Sequence, residues 1–313
     1  MLSENVTAMA VAQHYFRDGR TKSEIAKAIG ISRFKVARIL DRCRSERLVE
    51  IVFNFPDDFI DYALSAEIKT RFGLRQALIV ADAGSPGDAI LDPLGRAAAL
   101  LLREVSAASD VLGFAWTRTL EAMTGYLHPL RASAVVQLCG AFPGAGQGRT
   151  SIEIVRDVAR SIDGPAYLYY APLIASDEQA AQAIRRQADV AAASAMIAGV
   201  TKAVVTIGAW QPGHSSVWNA VDPLTRQAVC QAGAVAEICG GICLDRAGRI
   251  VKTALADVAV GISGPELAAI PDVIGLAFGQ EKAAATRAAI EGRMINALVS
   301  HSALARAILA DAP

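Results

Sequence analysis

Apolar positions near the amino terminus recur with helical spacing. Met9, Ala12 and Phe16 predict one face of a helix over Val6–Asp18, and Gly19 is placed to end it. Thr21-Lys22-Ser23-Glu24 has the spacing of a capping box, in which threonine and glutamate satisfy each other's backbone N–H. A second helix therefore starts there, with Ile25 and Ile29 inward. Gly30 makes a turn, Ile31 plugs the core below it, and Ser32 is the N-cap of a third helix running from Arg33 to Glu46. Val36, Ile39, Leu40 and Cys43 form its buried stripe. Three short helices joined this way make a helix-turn-helix. Next, Val49, Ile51, Phe53 and Phe55 alternate as a strand or wing, which Pro56-Asp57-Asp58 breaks. Leu64, Ile68 and Phe72 align on one further helix, which either pairs with its copy in a dimer or packs on its own body.

From Gln76 onward the pattern changes. Short apolar runs at Gln76–Ala81, Val111–Ala115, Ala134–Leu138, Ala166–Tyr170, Ala203–Ile207, Val273–Ala277 and Ile295–Val299 predict buried strands. Helical stretches fall between or after them at Pro93–Val105, Thr119–Leu127, Ile152–Ile162, Glu178–Ala198, Glu281–Glu291 and Ala303–Ala310. Alternation of this kind predicts an α/β domain with a mainly parallel sheet covered on both faces. The chain thus divides into an all-α helix-turn-helix head at 1–55, a linker helix at 56–75, and a sensing and oligomerisation body at 76–313.

Composition supports two folded parts. The 313 residues are 53% hydrophobic and 20% charged, enough for sizeable cores. The formal net charge is zero, but it is unevenly spread. Residues 1–50 carry ten Lys/Arg against six Asp/Glu, and the remainder 21 against 25. A basic head on an acidic body suggests a polyanion for the head alone. No apolar run approaches the ~20 residues that span a bilayer. The amino terminus lacks the basic and small-residue pattern of a signal peptide. We therefore expect a cytoplasmic protein with no membrane partner. The five cysteines are odd in number and irregularly spaced, and read as buried thiols without a metal.

Candidate chemistry concentrates in four places. On the third helix, Arg33, Lys35 and Arg38 lie off the buried stripe and suit the major groove of double-stranded DNA, with Ser32 and Val36 in the same turns. Thr21 and Lys22 open the second helix, whose N-terminus suits a phosphate. In the body, the strand-to-helix junction Gly113-Phe114-Ala115-Trp116-Thr117-Arg118-Thr119-Leu120 brings Thr117 and Thr119 near a helix start, which fits either an anion or ordinary capping. A second junction, Phe278-Gly279-Gln280-Glu281-Lys282, puts a glycine beside a lysine at a helix start. That lysine opposes the helix dipole unless it meets an anion. No hydrolase, metalloprotease, Walker or dinucleotide motif occurs. Gly144-Ala145-Gly146-Gln147-Gly148 reads as a surface turn.

Taken in order, several segments resemble the SorC family of sugar-responsive transcription regulators over essentially the full length. They are Val11–Phe16, Glu24-Ile25-Ala26, Gly30-Ile31-Ser32-Arg33, Val36-Ala37-Arg38-Ile39-Leu40, the Gly113–Leu120 junction, Gly233-Ala234-Val235-Ala236-Glu237-Ile238, and Ile270-Pro271-Asp272-Val273-Ile274 through Gly279, Lys282 and Ala285. The resemblance implies a body similar to sugar-phosphate isomerases and deaminases. It also implies a sugar, polyol or sugar-phosphate effector, and a homodimer or homotetramer on palindromic operators. Trp116, Thr117, Thr119, Gly279 and Lys282 would line the effector site beside Gly113, with Glu237 on the polyol side. The chain departs from the family at Thr117, Ala236-Glu237, Phe278 and His301-Ser302, where members commonly have Gly, Gly-Asp, a second Gly and an acidic pair. These changes reshape the pocket and leave the effector open. The expected function is operator binding controlled by that effector, with no cofactor and no catalysis. The alternatives are an isomerase- or deaminase-like enzyme carrying a DNA-binding appendage, for which Glu237 or Asp257 would be the general base, and a constitutive architectural DNA-binding protein.

Overall fold

The computed structural model describes residues 2–46, 48–49, 59–81, 87–115, 118–141 and 149–310. The chain divides into two compact units, Met1–Asp57 and Asp58–Pro313.

The first unit contains α1 (Leu2–Ala12), a π-helical continuation over Gln13–Arg17, α2 (Lys22–Ile29) and α3 (Arg33–Ser45). Its caps follow from the sequence. Thr21 and Glu24 form the capping box, Gly30 takes a left-handed φ of 73°, and Ser32 Oγ accepts the N–H of Lys35. Val11, Ile25, Val36 and Leu40 make one small core, and Ala8, Ala12 and Cys43 a second. Met9, expected inward, is 39% exposed, because the buried stripe of α1 is Ala8, Val11 and Ala12. The expected strand or wing falls largely on residues 51–58, outside the described ones. Val49 packs beside Cys43 instead of pairing as a strand.

The second unit begins with α4 (Tyr62–Phe72) and β1 (Gln76–Val80), followed by α5 (Leu91–Val105), β2 (Val111–Phe114), α6 (Arg118–Thr124), β3 (Ala134–Gln137), α7 (Ser151–Ser161) and β4 (Ala166–Tyr167). Next come α8 (Glu178–Arg185), α9 (Ala188–Met196), β5 (Lys202–Ala209), α10 (Ser216–Ala220), α11 (Pro223–Gln231), β6 (Ala234–Ile238) and β7 (Ile242–Asp245). The chain then runs through α12 (Ala254–Val258), α13 (Gly264–Ala269), β8 (Asp272–Leu276), α14 (Ala283–Glu291), β9 (Ala297–His301) and α15 (Ser302–Ala310).

Among the described residues, the order β1-β9-β8-β5-β2-β3-β4 is parallel throughout. Successive strand residues enter opposite cores. Val205, Val273 and Leu298 pack with α9, α14 and α15 on one face. Val204, Ile274 and Val299 pack with α5, α6 and α7 on the other. Burial on both faces explains why these strands read as unbroken apolar runs.

Three expectations need correction. The antiparallel hairpin β6–β7, attached to the end of β5, carries no alternating pattern because nearly all its residues are buried. The single helix expected over Glu178–Ala198 is two, with Gln187 in extended backbone between them. Arg185 donates to the carbonyls of Ala256 and Ala259 and pins the end of α8 there. The helix expected as a linker is α4, and its Leu64 and Ile68 lie in the core of its own unit. Those two side chains therefore have their partners within the chain, and dimer pairing through them is withdrawn.

Candidate functional sites

On α3 the buried stripe fixes what faces outward. Ser32, Arg33, Phe34, Lys35 and Arg38 are all exposed. Val36, included among the DNA-facing residues by sequence, is 0% exposed and holds α3 to α2. It sets the helix in place and offers no surface of its own. At the start of α2, the N–H and Oγ of Thr21 donate to Glu24 Oε2 at 2.8 Å each, holding that carboxyl below its usual range. Lys22 Nζ lies 5.9 Å from the centre of the Tyr15 ring. The head thus presents Thr21, Lys22, Ser32, Arg33, Lys35 and Arg38 on two adjoining helix starts. Phe34 was not singled out from sequence, because the helical pattern marks residues that turn inward and says nothing of an apolar one that does not.

In the body, the carboxyl ends of the parallel strands gather several charged groups. Gly279 follows β8 with φ 92° and ψ 126°, a backbone region open in practice to glycine alone. Its N–H donates to His301 Nε2, at the end of β9, at 2.9 Å. Gln280–Lys282 then form a 3-10 turn, so Lys282 precedes α14 instead of lying in its first turn. Lys282 is half-buried, with its ammonium 5.0 Å from the centre of the Phe278 ring. Phe278 therefore gives the lysine a cation–π partner.

Glu237 arrives on β6, opposite Gly208 of β5. It is 7% exposed. Its Oε2 accepts from Ser215 Oγ at 2.9 Å and its Oε1 from the Gly240 N–H at 2.7 Å. Burial raises its pKa, against the pull of those two donors and of the Lys282 charge. Burial likewise lowers the pKa of Lys282, opposed by Glu237 and reinforced by Arg118. Lys282 thus lies in the fields of both Glu237 and Arg118, although the three come from distant parts of the chain.

The remaining expected residues fare differently. Gly113 lies inside β2, where a Cβ would come within 2.8 Å of Leu138 Cδ2 and 3.0 Å of Val200 Cγ1. Its missing side chain is explained by packing, and we withdraw it from the site. Thr119 is buried at the start of α6. Trp116 and Thr117 lie outside the described residues, as does the Gly144–Gly148 turn. Arg118, Ser215 and His301 were missed as site residues. Arg118 had a usable signal, since a cation at the start of a helix poses the same puzzle that marked Lys282. Ser215 had none, for it reaches the site only through the fold, and His301 was marked in the sequence only as a departure from the family that reshapes the pocket.

Four cysteines are buried as expected, whereas Cys230 is exposed. Burial pushes the Cys243 thiol up to about 12. Among the described residues, no helix is long and apolar enough to cross a membrane, and no group of three or more His, Cys, Asp or Glu could hold a metal ion.

Residues 59–310 match the family model described as "Putative sugar-binding domain". The chain is 29% identical over 313 residues to "Transcriptional regulator LsrR" of Enterobacter sp. (strain 638), covering 99% of this chain and 94% of that protein. It is 25% identical over 307 residues to the "Sorbitol operon regulator" of Klebsiella pneumoniae, covering 96% of each. Its fold is similar to that of the crystal structure of the full-length sorbitol operon regulator SorC from Klebsiella pneumoniae, with a TM-score of 0.73 at 22% identity, covering 96% of this chain and 97% of that one. A helical DNA-binding head and an α/β sugar-binding body are the two parts of a metabolite-responsive transcription regulator. The chain belongs to the SorC family of sugar-binding transcriptional regulators.

Proposed function

We propose that the exposed face of α3 reads double-stranded operator DNA, and that a sugar, polyol or sugar-phosphate effector at the carboxyl ends of the body strands controls that reading. The observation that carries the effector site is the placement of Lys282 just after β8 beside the Phe278 ring, of Glu237 opposite Gly208 at the end of β5, and of Arg118 at the start of α6 after β2. Ligands of open parallel sheets bind at those ends. Two cations suit a phosphate, and a carboxylate beside them suits hydroxyls. Gly279 lets the backbone come close, and Thr119 stands on the β2–α6 side.

On the head, Arg33, Lys35 and Arg38 meet base edges or phosphates, while Thr21, Lys22 and Ser32 meet the backbone. One helix-turn-helix reads only a short half-site, so the working form is a homodimer or homotetramer on a palindrome. Control follows when the effector binds one arrangement of that oligomer more tightly than the arrangement that fits the operator. The reading involves no catalysis, in keeping with relatives that are named as regulators.

A thermal-shift screen of sugars, polyols and their phosphates tests this, since a ligand that binds only the folded protein raises its melting temperature. A phosphorylated compound should give the largest shift and should change operator affinity. In Lys282→Ala, operator binding without effector should persist, while effector affinity falls by about 1.5–3 kcal/mol, the worth of a hydrogen bond to a charged group. A mutant responding at the wild-type concentration would remove Lys282 from the site. Turnover of the same compounds by the protein would overturn the non-catalytic reading.

A further inference from the structure

Phe34 is the second residue of α3 and is 83% exposed, the largest value among the exposed large hydrophobic side chains. A single exposed apolar residue is ordinary on a protein surface. The place of this one is not. At ~100° per residue, Phe34 and Arg38 stand on the side of α3 opposite Val36, which is the middle of its outward face. Arg33 and Lys35 flank it, and all three cations are exposed. Phe34 belongs to neither of the two small cores of the head. Among the described residues, an apolar ring at the centre of a cationic helix face therefore joins no core of its own unit, and those cores give no reason of folding for it to be there.

A DNA major groove is lined by phosphates at its walls and by base edges at its floor. The floor offers hydrogen-bond donors and acceptors at every base pair, but only thymine adds an apolar group there, its C5-methyl. A phenyl ring forms no hydrogen bonds with base edges and so cannot select guanine, adenine or cytosine by that route. It can exclude water from a methyl group. We propose that Phe34 is a specificity-determining residue that reads the C5-methyl of a thymine in each operator half-site, while Arg33, Lys35 and Arg38 hold phosphates or a neighbouring base. This rests on the DNA-reading face assigned above to α3.

The full-length protein is used to select duplexes from a random pool. In the selected duplex, each thymine of a half-site is then replaced singly by deoxyuridine, which removes the methyl and preserves the base pair. One replacement per half-site should weaken wild-type binding about fourfold, the effect of burying one methyl-sized group. Phe34→Ala should bind more weakly and should be insensitive to that replacement. Phe34→Leu, apolar but smaller, should retain most of the sensitivity. Folding is not at risk, because the side chain packs in neither core of the head. Equal sensitivity to every deoxyuridine in wild type and Phe34→Ala, or a selected half-site without thymine, overturns the role of Phe34 alone. A protein that selects no duplex removes the DNA-reading face, and Phe34 with it.

Discussion

Arg33, Lys35 and Arg38 stand in open water on α3, whereas Lys282 is half-buried at the β8–α14 junction, beside Phe278 and in the field of Glu237. Exposed charges are screened within about 8–10 Å at ordinary salt, so each head cation is worth little alone. A duplex presents many phosphates, and the contributions accumulate as counterions are released. The body works the other way. Glu237 is buried and Lys282 half-buried, so each acts on the other through less solvent than the head cations have around them. Many weak contacts fit a long polyanion, and a few strong ones fit a small ligand. Burial also has a cost in the body that is absent from the head, because every buried charge there needs a partner. Ser215 and Gly240 supply Glu237, while Phe278 faces Lys282.

The largest effect that would separate the two regions is on operator affinity. In the Arg33→Ala, Lys35→Ala double mutant, binding should fall by about 1–3 kcal/mol for Arg33 if it reads a guanine, with a further loss of one phosphate contact for Lys35. The salt dependence of binding should become shallower, and the thermal response of the body to effector should be unchanged. Fluorescence anisotropy over a salt series measures the first two. Unaltered affinity would place the DNA contact elsewhere than on α3.

A somewhat smaller effect belongs to the body. Gly279→Ala forces a side chain into φ 92°, ψ 126°, which should lower stability by about 1–3 kcal/mol. Space is not the obstacle, since the nearest atom to a Cβ there is the mobile Glu281 Oε2 at 2.9 Å. Calorimetry should show a lower melting temperature for the body, with effector response weakened because the Lys282 turn has moved. A mutant that melts with wild type would mean that the turn has another accessible form.

The smallest effect is a slope against pH. Burial raises the Glu237 pKa above its unfolded value, so the contribution of the neutral carboxyl to stability is fully present below the ordinary glutamate pKa. It is lost as pH rises through the raised folded value. Glu237→Gln keeps a neutral group there at all pH, with Oε1 facing Gly240 and the amide donating to Ser215. Relative to that mutant, wild type should lose stability as pH rises across this window and then run parallel above it. Parallel curves throughout would show that Glu237 is paired well enough to ionise without penalty.

The same contrast separates what was legible in the sequence from what was not. On the head, Thr21, Glu24, Gly30 and Ser32 set caps and turns through bonds that span three or four residues. The outward position of Arg33, Lys35 and Arg38 follows from the buried stripe of one helix. Only Val36 was misassigned, and Phe34 was overlooked because apolar residues are read as core by default. In the body, the strands of the parallel sheet were visible as apolar runs, since burial on both faces leaves that signature. The β6–β7 hairpin was not, although it carries Glu237.

The sequence by itself determined the three-helix head, the alternation that makes the body an α/β sheet, and the two strand-to-helix junctions that hold Lys282 and Thr119. These are consequences of periodicity, capping and chain stiffness, which act over a few residues. Tertiary structure decided that β5 lies between β8 and β2, and hence that the strands leading to Lys282 and Arg118 flank the one on which the Glu237 hairpin is paired. It also decided that His301 accepts the N–H of Gly279 and that Leu64 and Ile68 face the core of their own unit. The order of parallel strands depends on which helix faces pack together across the whole sheet. No local pattern records that choice, because the energy that fixes it arises only when residues far apart in sequence are buried against one another.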